Sequence, residues 1–360
     1  MNLNQKQILK TFFDLVRIDS PSGKEEKVRE YLKQYLSDLN IKSKEDKYGN
    51  LIAKISGQGE PIILAAHMDT VQPGEGVKPF IKGDIIKSEG EKILGADNKA
   101  GITEIIESIK HLKENQINHR PIELIFTREE EVGLKGALNL KRSEYKAKEA
   151  LVLDGSGKPF TICHAAPYIS TIEIEIKGKS AHAGVEPEKG INAIAVASKA
   201  INKIKWGRID NETTSNIGII QAGRVRNSVP DKAEIKAEAR SHKLPKLEKQ
   251  IIKIKKAFEE SAQKFNAKIK FKNELECHGY SLPTNDSLIK TLSETAKENK
   301  MKTYFEKSGG ASDANRLAGK GFKVVNVSYG GSGCHTEKET IRLSEITKMT
   351  QFLIKYLQKI

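Results

Sequence analysis

Short apolar runs alternate with stretches of helical spacing along the first 154 residues. Runs at 61–66, 121–127 and 151–154 are apolar at most positions, and residues 98–114 place apolar side chains at helical spacing. A continuous apolar run of this kind is typical of a strand that is buried on both faces. Because these strands alternate with helices, the pattern predicts an α/β layer.

Two helices are predicted before the first strand. Residues 4–16 and 28–39 each carry an apolar stripe at helical spacing, and Ser20-Pro21-Ser22-Gly23 separates them. Ser22 and Glu25 have the spacing of a capping box, in which each side chain accepts a hydrogen bond from the other residue's backbone N–H. We therefore expect the second helix to begin with such a box.

The pattern changes between residues 168 and 277, where the strands alternate apolar and polar positions and so expose one face. The predicted elements, in the order β-α-β-β-α-β, are residues 168–177, 190–206, 216–222, 232–240, 246–265 and 267–275. This is the order of the ferredoxin-like split βαβ unit. We therefore predict a discontinuous domain of residues 1–167 and 278–360, with a ferredoxin-like domain inserted at 168–277.

Charge raises the question of nucleic-acid binding. The 360 residues include 61 Lys and Arg against 47 Asp and Glu, a formal net charge of +14. However, the lysines are spread along the chain and mixed with acids, as in 246–260, without an arginine-rich block. The charge therefore predicts a solvated, lysine-rich surface, and a non-enzymatic basic RNA-binding protein is kept only as a remote alternative.

The cysteines and the N-terminal residues bear on the compartment. Cys163, Cys277 and Cys334 form no CxxC pair and are odd in number, which argues against a disulfide framework and favours a reducing compartment. Residues 1–18 lack the apolar core of a signal peptide, and no stretch approaches the length of a membrane span. We expect a cytoplasmic protein without membrane association.

Candidate chemistry is concentrated in stretches that place His, Asp or Glu after predicted strands or at helix starts. These stretches are 67–69, 95–101, 127–133, 153–155 and 334–337. All of them lie in the predicted α/β domain, where ligands bind beyond the carboxyl ends of strands. Two histidines with several carboxylates and no cysteine pair suit Zn, Mn or Co at a catalytic site rather than a structural zinc.

Each stretch also has an ordinary structural explanation. Asp97 precedes a predicted helix and has the position of an N-cap. Glu129-Glu130-Glu131 has the composition of a solvated acidic turn, and Asp154 before Gly155 suits a turn. His335 alone is typical of a surface histidine. The joint occurrence of these groups in one domain is what favours a metal site.

Three signatures resemble a family of co-catalytic metallopeptidases. They are Ala66-His67-Met68-Asp69-Thr70-Val71, Leu94-Gly95-Ala96-Asp97-Asn98-Lys99-Ala100-Gly101 and Lys177-Gly178-Lys179-Ser180-Ala181-His182-Ala183-Gly184. The family includes peptidase T, aminoacylase, carboxypeptidase G-type enzymes and succinyl-diaminopimelate desuccinylase. The chain resembles the peptidase T-like branch most, nearly end to end. The resemblance implies a mixed-sheet α/β catalytic domain of the zinc-exopeptidase type with an inserted lid.

The same resemblance implies two divalent metal ions per chain, zinc first, with manganese or cobalt as alternatives. It assigns His67, Asp97 and Asp154 to one ion. It assigns Asp97, Glu131 and His335 to the other, so Asp97 bridges the pair. It also implies a cis peptide bond after Asp97.

Two catalytic residues are implied in the same way. Asp69 orients His67, and Glu130 acts as the general base. The family writes the acidic motif as an acid followed by Glu-Glu, so Glu129 takes the first position and Glu131 the ligand position. This assignment depends on the register of the triplet.

Substrate-binding residues are implied in the inserted domain and in one turn outside it. His182 matches a histidine that reaches into a partner's active site in dimeric relatives, and Asn227 matches a position that faces substrate. Arg240 matches an arginine that grips a substrate carboxylate, a task for which its fork is suited. Gly310 lies in 308–313, which resembles a Gly-rich turn at the substrate pocket.

The resulting expectation is a cytoplasmic aminopeptidase that acts on short peptides such as tripeptides and forms a homodimer through its lid. An N-acyl- or N-succinyl-amino-acid deacylase is the alternative, because it uses the same water and the same base. The shape of the lid pocket distinguishes the two, and that shape is not encoded in any single motif.

Overall fold

Helices and strands alternate in the structure much as the apolar pattern predicts. A computed structural model describes residues 3–360, so residues 1 and 2 of the predicted main domain lie outside the described residues. The α-helices are α1 (Gln5–Val16), α2 (Glu26–Asp38), α3 (Ala96–Glu114), α4 (Lys135–Asn139), α5 (Ala193–Asn202), α6 (Leu244–Lys264), α7 (Ser287–Glu298), α8 (Asp313–Gly319) and α9 (Leu343–Leu357). Among residues 3–360, no helix combines the length and the apolar character that crossing a bilayer requires.

The β-strands are mostly short, as strands in globular proteins usually are. They are β1 (Ser43–Glu45), β2 (Leu51–Ile55), β3 (Ile62–His67), β4 (Pro79–Lys82), β5 (Ile85–Ser88), β6 (Ile122–Thr127), β7 (Glu149–Gly155), β8 (Thr161–Ala166), β9 (Tyr168–Lys177), β10 (Gly207–Arg208), β11 (Thr213–Ala222), β12 (Lys232–Ser241), β13 (Lys268–Cys277), β14 (Tyr280–Ser281), β15 (Tyr304–Lys307), β16 (Lys323–Ser328) and β17 (Ile341–Arg342).

The chain divides into two compact units. Of the described residues, the first unit takes in 3–165, Leu282–Ser308 and Ser312–Ile360, and the second takes in Ala166–Ser281 and Gly309–Ala311. The predicted insertion at 168–277 lies within the second unit. The segment Gly309–Ala311, which the prediction placed in the main domain, groups with the second unit instead.

The first unit is built on a mixed sheet with the strand order β1-β2-β6-β3-β7-β16-β8, and β15 pairs with β8. Strands β6, β3, β7 and β16 run parallel, whereas β2 is antiparallel to β6 and β8 is antiparallel to β16. Every residue of β3 and β6 is buried, as expected for strands covered on both faces. The predicted mixed α/β fold class is confirmed.

An apolar core holds the helices against this sheet. Side chains of α2, α3, α7 and α9 join those of the central strands in one buried cluster. A Cβ at Gly101 in α3 would lie 2.3 Å from the backbone oxygen of Leu153, so a glycine is what lets α3 approach the end of β7 this closely. Burial of each Leu or Ile stabilises the fold by about 1.5–3 kcal/mol, and the cluster thereby fixes the strand ends.

The second unit has an antiparallel sheet with the strand order β10-β11-β12-β9-β13. Ile172, Ile174 and Ile176 of β9 pack with residues of α5 and α6 in a separate apolar core. The chain order β9-α5-β11-β12-α6-β13 is the predicted β-α-β-β-α-β order. The two-residue strand β10 is an addition that the alternation pattern did not predict.

The predicted capping box at the start of α2 is wrong. The helix begins at Glu26 with Glu25 as its N-cap, and Glu25 makes no side-chain cap hydrogen bond. Ser22 instead donates from Oγ to Oδ2 of Asp69 at 2.6 Å. Because the loop before α2 packs against the end of β3, buried tertiary partners compete successfully with the local cap.

Candidate active site

Several of the residues predicted to form the metal site lie at three neighbouring strand ends. Strands β6, β3 and β7 are adjacent and parallel, so their carboxyl ends lie at one edge of the sheet. His67 is the last residue of β3, Glu129-Glu130-Glu131 follows β6, and Asp154 lies at the end of β7. Asp97 lies in the first turn of α3, and His335 lies in the loop between β16 and β17. The fold thus draws these groups from five segments that are distant in sequence.

His67 is buried, and its two ring nitrogens face different partners. Nδ1 lies 3.0 Å from the backbone oxygen of Asp69, to which it donates. Nε2 lies 3.1 Å from Oδ1 of Asp97 and 3.2 Å from Oδ1 of Asp154. Burial alone would lower the pKa of His67, but the carboxylates, Asp154 first among them, raise it well above its ordinary value. A ring nitrogen and two carboxylate oxygens therefore face one another as the ligands of a cation do.

Asp97 presents one carboxylate oxygen to each histidine. Oδ1 faces His67, and Oδ2 lies 3.3 Å from Nε2 of His335. The same Nε2 lies 3.0 Å from Oε1 of Glu131. Ligand atoms of His67, Asp97 and Glu131 all lie within 4.8 Å of one another. The peptide bond between Asp97 and Asn98 is cis, so that expectation is confirmed.

The electrostatics of this cluster fit divalent cations. Oε1 of Glu131 is buried and receives no well-formed hydrogen bond, although Nε2 of His335 lies close to it. Burial raises the pKa of Asp154 to about 7 despite the neighbouring imidazole, and Asp97 adds to the rise. Burial, and then Asp154, raise the pKa of Glu130 well above its ordinary value. Buried carboxylates this close together repel one another when they are ionised, and a cation bound between them would offset that repulsion. The oxygen and imidazole donors of the cluster suit Zn, Mn or Co.

Asp69 contacts the acidic turn more directly than it contacts His67. Its Oδ1 accepts from the N–H of Glu130 at 2.9 Å, and its Oδ2 accepts from the N–H of Glu131 at 3.2 Å and from Ser22. Oδ1 lies 3.4 Å from Nδ1 of His67, farther than the backbone oxygen of Asp69 itself. Burial alone would raise the pKa of Asp69, but the imidazole of His67 first, and then the hydrogen bonds from Ser22 and Glu130, lower it to about 2. Asp69 therefore stays ionised and ties β3 to the turn after β6.

The three acids of the turn have different surroundings. Glu129 accepts from the hydroxyl of Tyr48 at 2.7 Å and from Nζ of Lys135 at 3.0 Å, so its carboxylate is engaged outside the cluster. Glu131 is the member that faces a histidine. Glu130 is 8% exposed and lies in the electrostatic field of the cluster. This arrangement is the one expected if Glu130 is the base and Glu131 the ligand.

Glu339 is a buried site residue that the sequence analysis did not identify. Its carboxylate accepts from the N–H of Gly95 at 2.7 Å and from the N–H of Asp97 at 2.9 Å. It lies four residues after His335, so one loop both carries an imidazole and fixes the start of α3. The only signal in the sequence is an acid close to a candidate histidine, which is too common to be diagnostic.

Lys99 and Glu25 are two further residues that sequence reasoning missed. Lys99 is buried and donates from Nζ to the backbone oxygen of Met68 at 2.6 Å. Burial lowers the pKa of Lys99 to about 7. Glu25 accepts from the N–H of Glu129 at 3.0 Å. Lys99 belongs to the signature at 94–101, and Glu25 belongs to the supposed capping box. Both residues therefore lie in patterns that the sequence shows, but the sequence does not show which distant backbone groups they bind.

The predicted substrate residues lie in the second unit. His182 is exposed, and its Nδ1 accepts from the N–H of Gly184 at 3.2 Å. Asn227 is exposed too, and its backbone oxygen accepts from the N–H of Ala183, next to His182. Both side chains are therefore open to solvent within their unit.

Arg240 and Gly310 also belong to the second unit. The guanidinium of Arg240 forms a two-point contact with Glu238, from Nε at 2.8 Å and from Nη2 at 2.9 Å. Its Nη1 donates to the backbone oxygen of Gly309 at 3.1 Å, which joins β12 to the segment that contains Gly310. The prediction left Glu238 out, although it lies two positions before Arg240 on the same face of the strand.

A set of imidazoles and carboxylates gathered at parallel strand ends of a mixed α/β domain, buried except for the half-exposed His335, is the arrangement of a metal-dependent hydrolase. Residues 63–359 match Peptidase family M20/M25/M40, and the chain belongs to this family. The chain is therefore a peptide hydrolase, and the predicted resemblance to the peptidase T-like metallopeptidases is confirmed.

Relatives resemble the chain over nearly their full length. A Bacillus subtilis (strain 168) protein described as uncharacterized protein YqjE is 41% identical over 99% of each chain. The crystal structure of aminopeptidase PepT from Bacillus cereus ATCC 10987 has a TM-score of 0.94 at 38% identity, covering 99% of this chain and 98% of that one. A tripeptidase from Staphylococcus aureus subsp. aureus Mu50 has a TM-score of 0.94 at 32% identity, with the same coverage.

Proposed function

We propose that the chain is a metal-dependent aminopeptidase that hydrolyses short peptides, with Glu130 as its general base. The observation that carries this proposal is the position of Asp97, whose two carboxylate oxygens face His67 and His335 separately. The similar solved structures are described as an aminopeptidase and a tripeptidase, which supports the choice of substrate.

The metal-holding residues fall into two sets that share Asp97. His67 and Asp154 complete one set, and Glu131 and His335 complete the other. When bound, two divalent cations lower the pKa of a shared water and polarise the scissile carbonyl. Zinc is the proposed metal, and manganese and cobalt suit the same donors.

Proton transfer is the task of the chain's own acids. Glu130 takes a proton from the attacking water as the water oxygen bonds to the carbonyl carbon, and it then gives that proton to the leaving amine. Burial, and then Asp154, raise the pKa of Glu130 well above its ordinary value, which favours the return of the proton from Glu130 to the leaving amine. Asp69 holds the N–H groups of Glu130 and Glu131 and so fixes the turn from which the base projects.

The test of the base compares two neighbouring glutamates. Glu130→Gln should lower kcat on a tripeptide by roughly 10²–10⁴-fold, because it removes the proton acceptor, and it should leave bound metal unchanged. Glu129→Gln is the matched control and should keep kcat near wild type, since Glu129 is engaged by Tyr48 and Lys135. Wild-type turnover in Glu130→Gln, measured with metal content, would exclude this role.

The substrate class is tested with a matched panel. Tripeptides with a free N-terminus, their N-acetylated forms, and N-acetyl and N-succinyl amino acids share the same scissile chemistry. The proposal expects the highest kcat/KM for the free tripeptides. Higher kcat/KM on the acylated amino acids would assign the site to a deacylase instead.

A cytoplasmic homodimer formed through the second unit is part of the proposal. Among residues 3–360, strand β10 pairs only with residues 214–215 of β11, and beyond them Ile219 and Ile220 are each 50% exposed. An apolar stretch on an edge strand is a surface that proteins usually cover, which supports pairing with a second copy. The cysteines of the described residues form no disulfide, as suits a reducing compartment.

A further inference from the structure

The loop between α1 and α2 contacts the segment that carries His67 and Asp69. Ser20 donates from Oγ to the backbone oxygen of Met68 at 2.9 Å, and its own backbone oxygen accepts from the N–H of Thr70 at 2.9 Å. The hydroxyl of Ser22, as described, donates to the carboxylate of Asp69. The loop is therefore fixed against the end of β3 at three successive residues.

Glu25 ends this loop and reaches a second catalytic segment. It is fully buried, and its Oε1 accepts from the N–H of Gly23 at 2.7 Å and from the N–H of Glu129 at 3.0 Å. Its Oε2 lies 3.0 Å from Nη2 of Arg128, a side chain that is 18% exposed. One buried carboxylate thus joins the loop before α2 to the turn after β6.

Three successive N–H groups of the acidic turn are each received by a buried carboxylate. Glu25 accepts from Glu129, whose φ of 50° is left-handed, and Asp69 accepts from Glu130 and Glu131. Successive N–H groups in a turn of this kind form a concavity that binds anions. Here the anions are two side chains from different segments, so the conformation of the turn depends on both.

We propose that Glu25 is a positioning residue that fixes the acidic turn and thereby directs the carboxylate of Glu130; this inference rests on the proposed function of Glu130. Stability does not explain the buried pair with Arg128, because replacing such pairs by apolar side chains is often neutral or stabilising. The pair is explained if it fixes the conformation of the acidic turn, because a general base must lie within a narrow range of distances from the proton that it accepts.

The test uses two substitutions of Glu25 and a matched control. Glu25→Ala removes the acceptor for the N–H of Glu129, whereas Glu25→Gln keeps an acceptor oxygen and loses the charge. Glu26→Ala is the control, because Glu26 is the next residue, is exposed and also lies near Arg128, 3.8 Å from its Nη2. kcat, KM and bound metal are measured for each variant with a tripeptide.

Glu25→Ala should lower kcat by roughly 100-fold, the effect of misplacing a catalytic group by about 1 Å. KM and metal content should stay near wild type, because Glu25 is fully buried away from solvent and Asp69 still accepts the hydrogen bond from the N–H of Glu131. Glu25→Gln should recover most of the lost kcat, and Glu26→Ala should match wild type. Equal kcat in Glu25→Ala and Glu26→Ala would overturn the proposal, as would a loss of kcat that follows bound metal or folded protein.

Glu130→Gln, measured alongside, separates this inference from the proposed function. If Glu130→Gln keeps wild-type kcat, the proposed function fails. If Glu130→Gln is inactive while Glu25→Ala is fully active, the positioning role alone fails.

If Glu25→Ala does not fold, amide hydrogen exchange in the metal-free protein tests whether Glu25 holds the acidic turn. In Glu25→Gln a neutral amide oxygen replaces the carboxylate, and neutral acceptors form weaker hydrogen bonds. The segment 128–134 should then exchange faster than in wild type, while β3 should exchange at an unchanged rate. Unchanged exchange at 128–134 would show that Glu25 does not hold the turn.

Discussion

At the scale of single residues, buried carboxylates accept hydrogen bonds from the backbone of the segments that carry the candidate ligands. Glu339 receives two N–H groups at the start of α3, and Asp69 receives two in the acidic turn. Each of these acids is withdrawn from water, so its hydrogen bonds are the compensation for its lost hydration. The positions of Asp97 and Glu131 are therefore set partly by acids that are not themselves candidate metal ligands.

Glu339→Gln is expected to weaken metal binding by about 10–100-fold, the usual effect of removing the support of a metal ligand. A carboxamide has one acceptor oxygen, so its NH₂ group would meet one of the two backbone N–H donors of Gly95 and Asp97. Glu337→Gln is the matched control, because Glu337 is exposed in the same loop. The measurement is zinc affinity by competition with a chelator, and identical affinities in the two variants would contradict this role.

The sequence allowed the candidate ligands to be predicted but not their supports. His67 and Asp154 follow apolar runs, and an apolar run reveals where a strand ends. Glu339 and Glu25 were missed, because their partners are backbone N–H groups 242 and 104 residues away. No periodicity or local motif encodes a contact between a side chain and a distant backbone.

At the scale of elements, the central strands were predictable and the loops were not. β3 and β6 are buried on both faces and so are apolar at most of their positions. The supposed capping box failed, because Ser22 is drawn to Asp69. Gly309–Ala311 groups with the second unit and not with the first, since Gly309 accepts a hydrogen bond from Arg240, and three small residues carry no apolar signal from which this contact could be predicted.

Helix α3 carries an acid that should make stability depend on pH. Glu104 is fully buried, and its carboxyl oxygens have no hydrogen-bond partner among residues 3–360. Burial, and then Glu345, raise the pKa of Glu104 well above its ordinary value of 4.5. A raised folded-state pKa means that the stabilising contribution is complete below pH 4.5 and is lost as pH rises through the folded-state value.

Glu104→Gln should therefore stabilise the protein increasingly as pH rises above 4.5. The gain is about 1.4 kcal/mol for each pH unit between 4.5 and the folded-state pKa, because over that range Glu104 releases its proton in the unfolded state and keeps it in the folded state. The control is Glu114→Gln at the exposed end of the same helix. Unfolding free energies are compared across pH 4 to 8, and a difference between Glu104→Gln and wild type that does not change with pH would refute the prediction.

At the scale of the whole molecule, the second unit supplies the residues predicted to bind substrate. If His182 acts in a partner's site, chains carrying Glu130→Ala and chains carrying His182→Ala should each be inactive alone. A mixed dimer contains one site with both groups intact, so mixing should restore activity. The measurement is tripeptide hydrolysis by an isolated mixed dimer, and an inactive mixed dimer would argue against action in trans.

Metal titration of the metal-free protein tests the central claim most directly. Asp97 divides its two oxygens between two sets of ligands, so hydrolysis should need both sets filled. Metal-free protein should be inactive on a tripeptide, and zinc, manganese or cobalt should restore activity up to a plateau at two ions per chain, with metal content measured on the same samples. Full tripeptide hydrolysis by protein shown to be free of metal would contradict the account.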